Sequence, residues 1–476
     1  VLVRILLCYA ALRKLNNDQG DKDSAGYVFS AIRTERRIHI AGRRRAVMVS
    51  RCRYFFSGIV LSILLSVSVV VQADVDSSKG LSLQQCIEIA MQNQDDILIG
   101  GNTVTAATER QKRTLSDYYP RVTTQYSTAL AESGGLNTRK ADGLSVSVSH
   151  DFYDGGIREA KAHEAAAGLA QKLFALDRTR QKVLYNVTRE YFLLLQAQHL
   201  AEVRHTQVKY LEGQLAMIST RVQLGAAARV DTLPVEAQLS NARVDLLEAE
   251  NTIRTSAIQL QNAMGLLPDP DFSIMETAEP AIIAVRSVED YVTMALSERP
   301  DLQEAEAGIK SAEAGVERAR LSLRPRPILS GSYDNSFDGK DELRITGGIA
   351  FNLFDGGSNR ATYREEVANR SSAELRVAQL KKTIRSEVRQ AYLNLTCAEE
   401  RMAAADLSLK AARKNLEAQE GRYKQGLAIT LDLLNAQLEI TTAQRNAVQA
   451  RYDYYLSIAQ LEYAAGKQGG LYEKAD

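Results

Sequence analysis

The sequence predicts a mostly α-helical chain built from two structural repeats, each interrupted by a pair of β-strands, and three observations predict it. The first is a break of Gly then Asp between apolar-periodic runs, made twice. Arg221 to Gln238 reads RVQLGAAARVDTLPVEAQ and Arg422 to Gln437 reads RYKQGLAITLDLLNAQ. Arg221 pairs with Arg422, Gly225 with Gly426 and Asp231 with Asp432, each 201 residues apart. The second observation is length. No proline interrupts Gly156 to Gly225, and a helix over that stretch runs roughly 100 Å at 1.5 Å per residue, wider than a globular domain. The third is a switch to strict alternation in Leu144 to Tyr153 and in Leu343 to Phe354, the pattern of strands with one apolar face.

In chain order, residues 1–47 read as a mis-assigned start or an upstream extension and are left out of the fold. From Met48 the chain reads MVSRCRYFFSGIVLSILLSVSVVVQA: Arg51 and Arg53 precede an uncharged run from Tyr54 to Val71, and Val71-Gln72-Ala73 supplies small residues for cleavage. That is the layout of a secretory signal peptide over 48–73, with a short membrane anchor as the alternative.

The first repeat spans 81–265. LSLQQCIEIAMQNQDDILIG, from Leu81, predicts a short helix capped by Ser82, with Leu83, Ile87, Ala90 and Met91 on one face. Its counterpart begins at Arg286, where Ser287, Ala295 and Asp301 match Ser82, Ala90 and Asp96 at a spacing of 205. A second helical run follows in each copy and stops before Pro120 or Pro325. Four strands come next: Arg121 to Leu130 and Leu144 to Tyr153, then Pro327 to Phe337 and Leu343 to Phe354. A longer turn in the first hairpin is expected to account for the offset falling from 205 to 201.

Strand gives way to helix at Asp154-Gly155-Gly156 and at Asp355-Gly356-Gly357, where Asp caps the next helix and glycine permits the change of direction. The returning helices carry seams at spacings of three and four. One is Leu239, Ala242, Leu246, Ala249, Ile253, Ala257, Leu260 and Met264; the other is Ile440, Ala443, Ala447, Ala450, Tyr454, Ile458, Leu461 and Ala465. This is a coiled-coil-like pattern with enough alanine for close approach. The two seams end at Gly265 and Gly466. Residues 266–285, with Pro268, Pro270 and Pro280, are the linker, 286–466 the second repeat and 467–476 a tail.

Charge and chemistry exclude several classes. Residues 1–53 hold 12 Lys and Arg against 4 Asp and Glu, which leaves the rest with 47 basic and 54 acidic residues. That mildly acidic body disfavours nucleic acid as a partner. His39, His150, His163, His199 and His205 make no metal spacing, and there is no nucleophile elbow or phosphate loop. No catalytic, cofactor-binding or metal-binding residues are therefore expected, and the chain is not read as an enzyme. His199 and His205 are expected to be solvated, and Cys86 and Cys397 lie within helical patterns with no disulfide framework.

Strands of about ten residues with one apolar face suit a tilted membrane barrel. Such a barrel must close, because an open edge leaves backbone groups unpaired in lipid. Four strands are too few, since known barrels start at roughly eight, so copies of the chain must pool theirs. A dimer, trimer or tetramer would each supply a whole number of hairpins, and counting does not choose among them. Two alternatives stand beside the barrel: a surface hairpin packed on a soluble helical body, and a periplasmic coiled-coil scaffold.

The order of these features, repeated twice from Leu81 to Gly466 and including FYDGG and LFDGG at the strand ends, resembles the TolC-like outer-membrane efflux proteins. The resemblance implies a homotrimer whose protomers each give four strands to a 12-stranded barrel in the outer membrane of a Gram-negative bacterium. A long α-helical coiled-coil barrel would continue it across the periplasm. It implies docking to a periplasmic adaptor protein and an inner-membrane pump of the RND, ABC or MFS type. The function implied is a duct for small toxic compounds or drugs, with type I protein secretion as the alternative. It also implies site residues. Asp432 matches an acidic ring at the pore constriction, with Asn435 at the second ring position. Tyr423 and Asp231 match members of the network that closes the tip, and Ala428 stands where its arginine would be. Arg221, Gly225, Arg422 and Gly426 form the tip turns that would meet the adaptor.

Overall fold

The structure, a computed structural model, describes residues 80–133, 137–226, 228–275, 286–336 and 340–467. The expected signal over 48–73, the extension before it, half of the linker and the tail after Lys467 lie outside the described residues.

Helices α1 (Leu83–Asn93) and α2 (Asp95–Leu115) open the fold. Ser82 caps α1 reciprocally: its Oγ accepts from Gln85 N at 3.3 Å and its own N–H donates to Gln85 Oε1 at 2.9 Å. The short helix expected from Leu81 onward breaks at Gln94, whose ψ of 122° is extended. Asp95 and Asp96 then start α2, where acidic groups favour the positive end of a helix.

Strands β1 (Arg121–Ser133) and β2 (Asn137–Tyr153) follow, then the 67-residue helix α3 (Ile157–Gln223), a 3₁₀ turn (Arg229–Thr232) and the return helix α4 (Leu233–Ala263). The same order recurs as α5 (Val288–Glu298), α6 (Pro300–Leu321), β3 (Arg326–Ser336), β4 (Lys340–Ala350), the 67-residue α7 (Ser358–Lys424) and α8 (Thr430–Ala465). Between α5 and α6, Pro300 holds Arg299 extended, as a proline does to the residue before it.

At 1.5 Å per residue α3 and α7 are each about 100 Å long. Shorter helices accompany them. Helix α3 lies against α2 and α6 along one part and against α4 and α8 along the rest, while α7 lies against α6 and α8. The α4 seam is buried or half-buried from Leu239 to Met264, and all eight seam residues of α8, from Ile440 to Ala465, are buried. The main core is a belt where α1 and α5 pack on the long helices around Val187, Tyr191, Phe192, Val388, Leu395 and Ile458. Among the described residues no helix is long and apolar enough to cross a membrane.

The four strands form one antiparallel sheet in the order β1-β2-β3-β4, with β1 and β4 as its open edges. Three residues separate the strands in each hairpin; the first hairpin is longer because its strands are longer, 13 and 17 residues against 11 and 11. The expected difference in turn length is thus a difference in strand length. Strand β4 also ends earlier than expected, at Ala350, leaving Leu353 and Phe354 90% and 91% exposed outside the ladder.

Register decides what the sheet presents. Val122 pairs with Val148, Tyr126 with Leu144, Val148 with Tyr333, Tyr333 with Leu343 and His150 with Gly331, which in turn faces Ile345. Because side chains alternate along a strand, the apolar positions of all four strands share one face. Val122, Tyr126, Leu144, Leu329, Tyr333, Leu343, Ile345 and Ile349 are exposed on it. The other face is polar: Ser147 pairs with Thr123 and Asp334, and Ser332 with Ser149 and Arg344.

Glycine fixes how the return helices end. Gly265 and Gly466 have φ of 74° and 81°, and a Cβ on Gly265 would sit 2.7 Å from Asn93 O and 2.9 Å from Gln94 Cα. At Gly466 it would sit 2.9 Å from Arg299 Cγ and 3.1 Å from Arg299 N. Gly265→Ala is expected to destabilise the protein by about 1–3 kcal/mol, from left-handed strain and contact with backbone that cannot retreat. Thermal unfolding of the purified protein checks this, with Gly225→Ala as the comparison, because that glycine has the same kind of φ and open space around it.

Candidate functional site

The chain places its candidate residues at the two ends of the long helices. At the far end both tips are closed by the same backbone bonds. Gly225 N donates to Val222 O and Ala226 N to Arg221 O; Gly426 N donates to Tyr423 O and Leu427 N to Arg422 O, all at 2.8–3.0 Å. With Gly225 and Gly426 at φ of 72° and 74°, these are Schellman closures, satisfying carbonyls the helix leaves over.

The aspartates restart the chain. Asp231 Oδ2 accepts from Ala228 N at 3.1 Å and Asp432 Oδ2 from Ile429 N at 3.2 Å. Asp432 is therefore not the N-cap residue of α8; it sits in the first turn and reaches back to the cap, leaving half of a capping box because Ile429 has no side-chain acceptor. Asp432 and Asn435 are exposed, one turn apart on the same side of α8, and Ala428 is half-buried. Tyr423 is buried, with the Arg221 guanidinium 5.4 Å from its ring centroid. No hydrogen bond or ion pair joins Tyr423, Asp231, Asp432 and Asn435 to one another among the described residues. The two tips are joined instead by packing, as Leu434 of α8 is buried among Val208, Leu211, Ile218, Val235 and Leu239. Above them Tyr210 Oη donates to Glu420 Oε1 at 3.2 Å, and burial followed by the Glu420 charge keeps that phenol protonated. Exposed apolar side chains, Leu224, Val230, Leu427 and Ile429, surround the turns.

At the strand end, Asp154 Oδ1 and Oδ2 accept from Gly156 N at 3.2 Å and Arg158 N at 2.9 Å. Asp355 makes the same two bonds to Gly357 N and Asn359 N, both at 2.9 Å. Gly155, Gly156, Gly356 and Gly357 all have positive φ. The first turn carries a lock that sequence reading missed. Arg158 is buried, donates to the carbonyls of Asp117, Asp151 and Phe152, and lies 4.2 Å above the Tyr118 ring. Asn359 takes its place in the second copy, and no periodicity marks the difference.

A second missed cluster lies at the belt. Arg299, 2% exposed, forms a fork on Asp301 at 3.0 and 2.6 Å, reaches Glu387 at 2.6 Å and donates to Ala464 O at 3.2 Å. Burial raises the Asp301 carboxyl, but the bonds and charge of Arg299, with Arg178 nearby, outweigh it and hold the group below its ordinary value. In the first copy Gln94 takes the equivalent place, donating to Ala263 O at 3.4 Å.

Elsewhere, burial pushes the Cys86 thiol up to about 12 and Cys397 is exposed. His205 is exposed as expected, whereas His199 is solvated only in part: its side chain is 31% exposed, and its ring stacks on Tyr452 of α8 with centroids 5.8 Å apart. Among the described residues no three of His, Cys, Asp and Glu gather as a metal set.

A family model described as "Outer membrane efflux protein" matches residues 86–266 and 291–467. Among similar proteins is the outer membrane efflux protein BepC of Brucella suis biovar 1, 23% identical over 74% of this chain and 78% of that protein. Another is the alkaline protease secretion protein AprF of Pseudomonas aeruginosa, 25% identical over 63% of this chain and 65% of its own length. The crystal structure of the outer membrane protein VceC from Vibrio cholerae superposes with a TM-score of 0.71 at 19% identity, covering 81% of this chain and 96% of that one.

Proposed function

Because the chain belongs to the outer membrane efflux protein family, we propose that it is the outer-membrane duct of a tripartite efflux system, passing small toxic compounds from pump and adaptor to the exterior. The observation that carries this reading is a sheet with one shared apolar face, on which Val122, Tyr126, Leu343, Ile345 and Ile349 are exposed, and two unpaired edges, β1 and β4. In lipid those edges must be covered, and β1 of one copy beside β4 of the next covers both. Three copies give a closed cylinder of 12 strands, within the size range of membrane barrels. A surface hairpin on a soluble body fits less well, since the sheet meets the helices mainly where β2 touches the turn Ser116–Tyr118. The long helices then extend into the periplasm, with the tips turned to an adaptor and a pump of the RND, ABC or MFS type.

The reading is tested by heat-modifiable gel migration from outer-membrane extracts and by conductance in planar bilayers. Recovery as a soluble, non-conducting periplasmic monomer would refute it. Protein secretion is the second reading, favoured by the likeness to AprF. A deletion strain that keeps its drug resistance but stops exporting a large protein would select it.

Asp432 supplies a sharper test at the tip. Three copies around a narrow axis concentrate negative potential and favour cations. Asp432→Asn keeps an acceptor for Ile429 N and removes the charge, so the reversal potential in a salt gradient is expected to move toward neutrality with the open conductance kept. An unmoved potential would leave Asp432 with its turn-closing role alone.

A further inference from the structure

Beneath the strands the helices enclose a trough of about 900 Å³, lined by α2, α3 and α6. Its floor is made of small residues. Ala106 and Ala107 of α2 and Ala165 and Gly168 of α3 line it, and a Cβ on Gly168 would meet nothing within 4 Å. Long cations rim this floor: Arg110, Arg113, Arg121, Lys161, Lys172 and Arg318, against two acids, Asp117 and Glu164.

The acids are already engaged. Asp117 lies 3.8 Å from Arg121, and Arg318 lies 3.2 Å from Glu164 and 3.1 Å from Glu366. Lys172 faces the charge of Glu304. Arg110, Arg113 and Lys161 are exposed and have no ion pair among the described residues. Three unpaired cations from two helices thus overlook one concave surface of a size that ordinary ligand sites have.

The side of the wall follows from the strand register. Arg121 opens β1 opposite Ser149, in the row that continues with Thr123 and Ser147, so it belongs to the polar face of the sheet. A smaller cavity that shares Asp117, Arg121 and Lys161 with the trough is lined by Ser149 and Asp151 of the same row. Through Arg121, Ser149 and Asp151 the trough adjoins the polar side, with His150 of the apolar row also lining the smaller cavity.

We propose that this trough is a binding station for solutes carrying several carboxylate, sulfate or phosphate groups on their way out of the duct. It rests on the duct reading, under which the polar face lines the passage. Guanidinium groups hold such oxyanions by charge-assisted bonds, and a cleft lined by one sign of charge raises the local concentration of the opposite sign. The passage then has opposite signs at its two ends: Asp432 at the tip and unpaired cations near the exit.

The experiment uses the full-length protein in planar bilayers with inositol hexakisphosphate as probe. Added on the strand side, the probe is expected to block the current, and to do so equally in the Asp432→Asn channel. R110Q/R113Q/K161Q changes only exposed side chains and is expected to weaken block by about tenfold, roughly the loss of three solvent-screened ion pairs. Gly168→Leu, which fills the floor and leaves every charge in place, is expected to weaken block as well. A conducting channel that the probe does not block, or blocks equally in the triple variant, overturns the proposal and leaves the duct reading standing. Absence of conductance from the unmodified protein overturns both.

Discussion

Replacing Arg299 with methionine is expected to cost the folded chain about 3–5 kcal/mol, the usual result of removing one partner from a buried ion pair. Methionine matches much of the volume, so the cost comes from Asp301 and Glu387 losing their shared cation and from Ala464 O losing a donor. Arg299→Lys keeps the charge but not the two-pronged grip, and is expected to fall between. Glu387→Gln is expected to cost no more than about 1 kcal/mol, because Glu387 is 47% exposed and water replaces what is lost. Thermal unfolding in detergent orders the three variants; Arg299→Met with an unchanged midpoint would refute the account. The cluster also sets an acid limit. A carboxyl held below its ordinary value contributes stability that is fully present above the unfolded value and is lost as pH falls through the folded one. The wild type should therefore lose part of its stability only below the normal carboxylate range, and Arg299→Met should lack that step.

Ile345→Arg is expected to abolish assembly in the outer membrane. Ile345 is the central residue of β4, is 71% exposed and stands on the shared apolar face opposite Gly331. A charge facing lipid at mid-depth costs about 2–4 kcal/mol, which every copy in the proposed barrel would incur. Thr346→Arg places the same side chain one residue away on the polar face and is expected to insert, conduct and shift ion selectivity. Fractionation and bilayer recording separate the two, and equal insertion of both variants would remove the sheet from lipid.

The repeats were readable because they rest on local rules. Gly and Asp at fixed spacing mark a helix end and restart whatever surrounds them, and the period-two pattern of Leu144 to Tyr153 identified β2 and its apolar face. Element edges were less readable. Phe351 and Leu353 continue the alternation of β4 in sequence, yet the ladder stops at Ala350 with the last residue that pairs with β3. The hairpin difference went to the strands rather than the turn, because extra residues can extend a ladder as readily as a loop. Arg299 and Arg158 were invisible for another reason. Each gains its role from carbonyls and carboxylates distant along the chain, or turned inward by a bend, and no spacing encodes that. His199 was read only in part, since it lies partly in water and partly on Tyr452, and helix polarity was averaged over a helix that meets different neighbours along its length.

The arrangement of long and short helices has a mechanical corollary. The belt grips α3 as far as Leu195, and from there to Gln223 the helix runs on for roughly 40 Å at 1.5 Å per residue. A stiff rod held near its middle is a lever. Tilting that arm by about 10° carries its end some 7 Å sideways, on the order of a helix diameter, while side chains at the fulcrum shift by a small fraction of that. Ångström-scale repacking beside Tyr191 is therefore geometrically equivalent to a large displacement of Gly225, with α4 and the start of α8 carried along, because Val235, Leu239 and Leu434 pack on Val208, Leu211 and Ile218 of that arm.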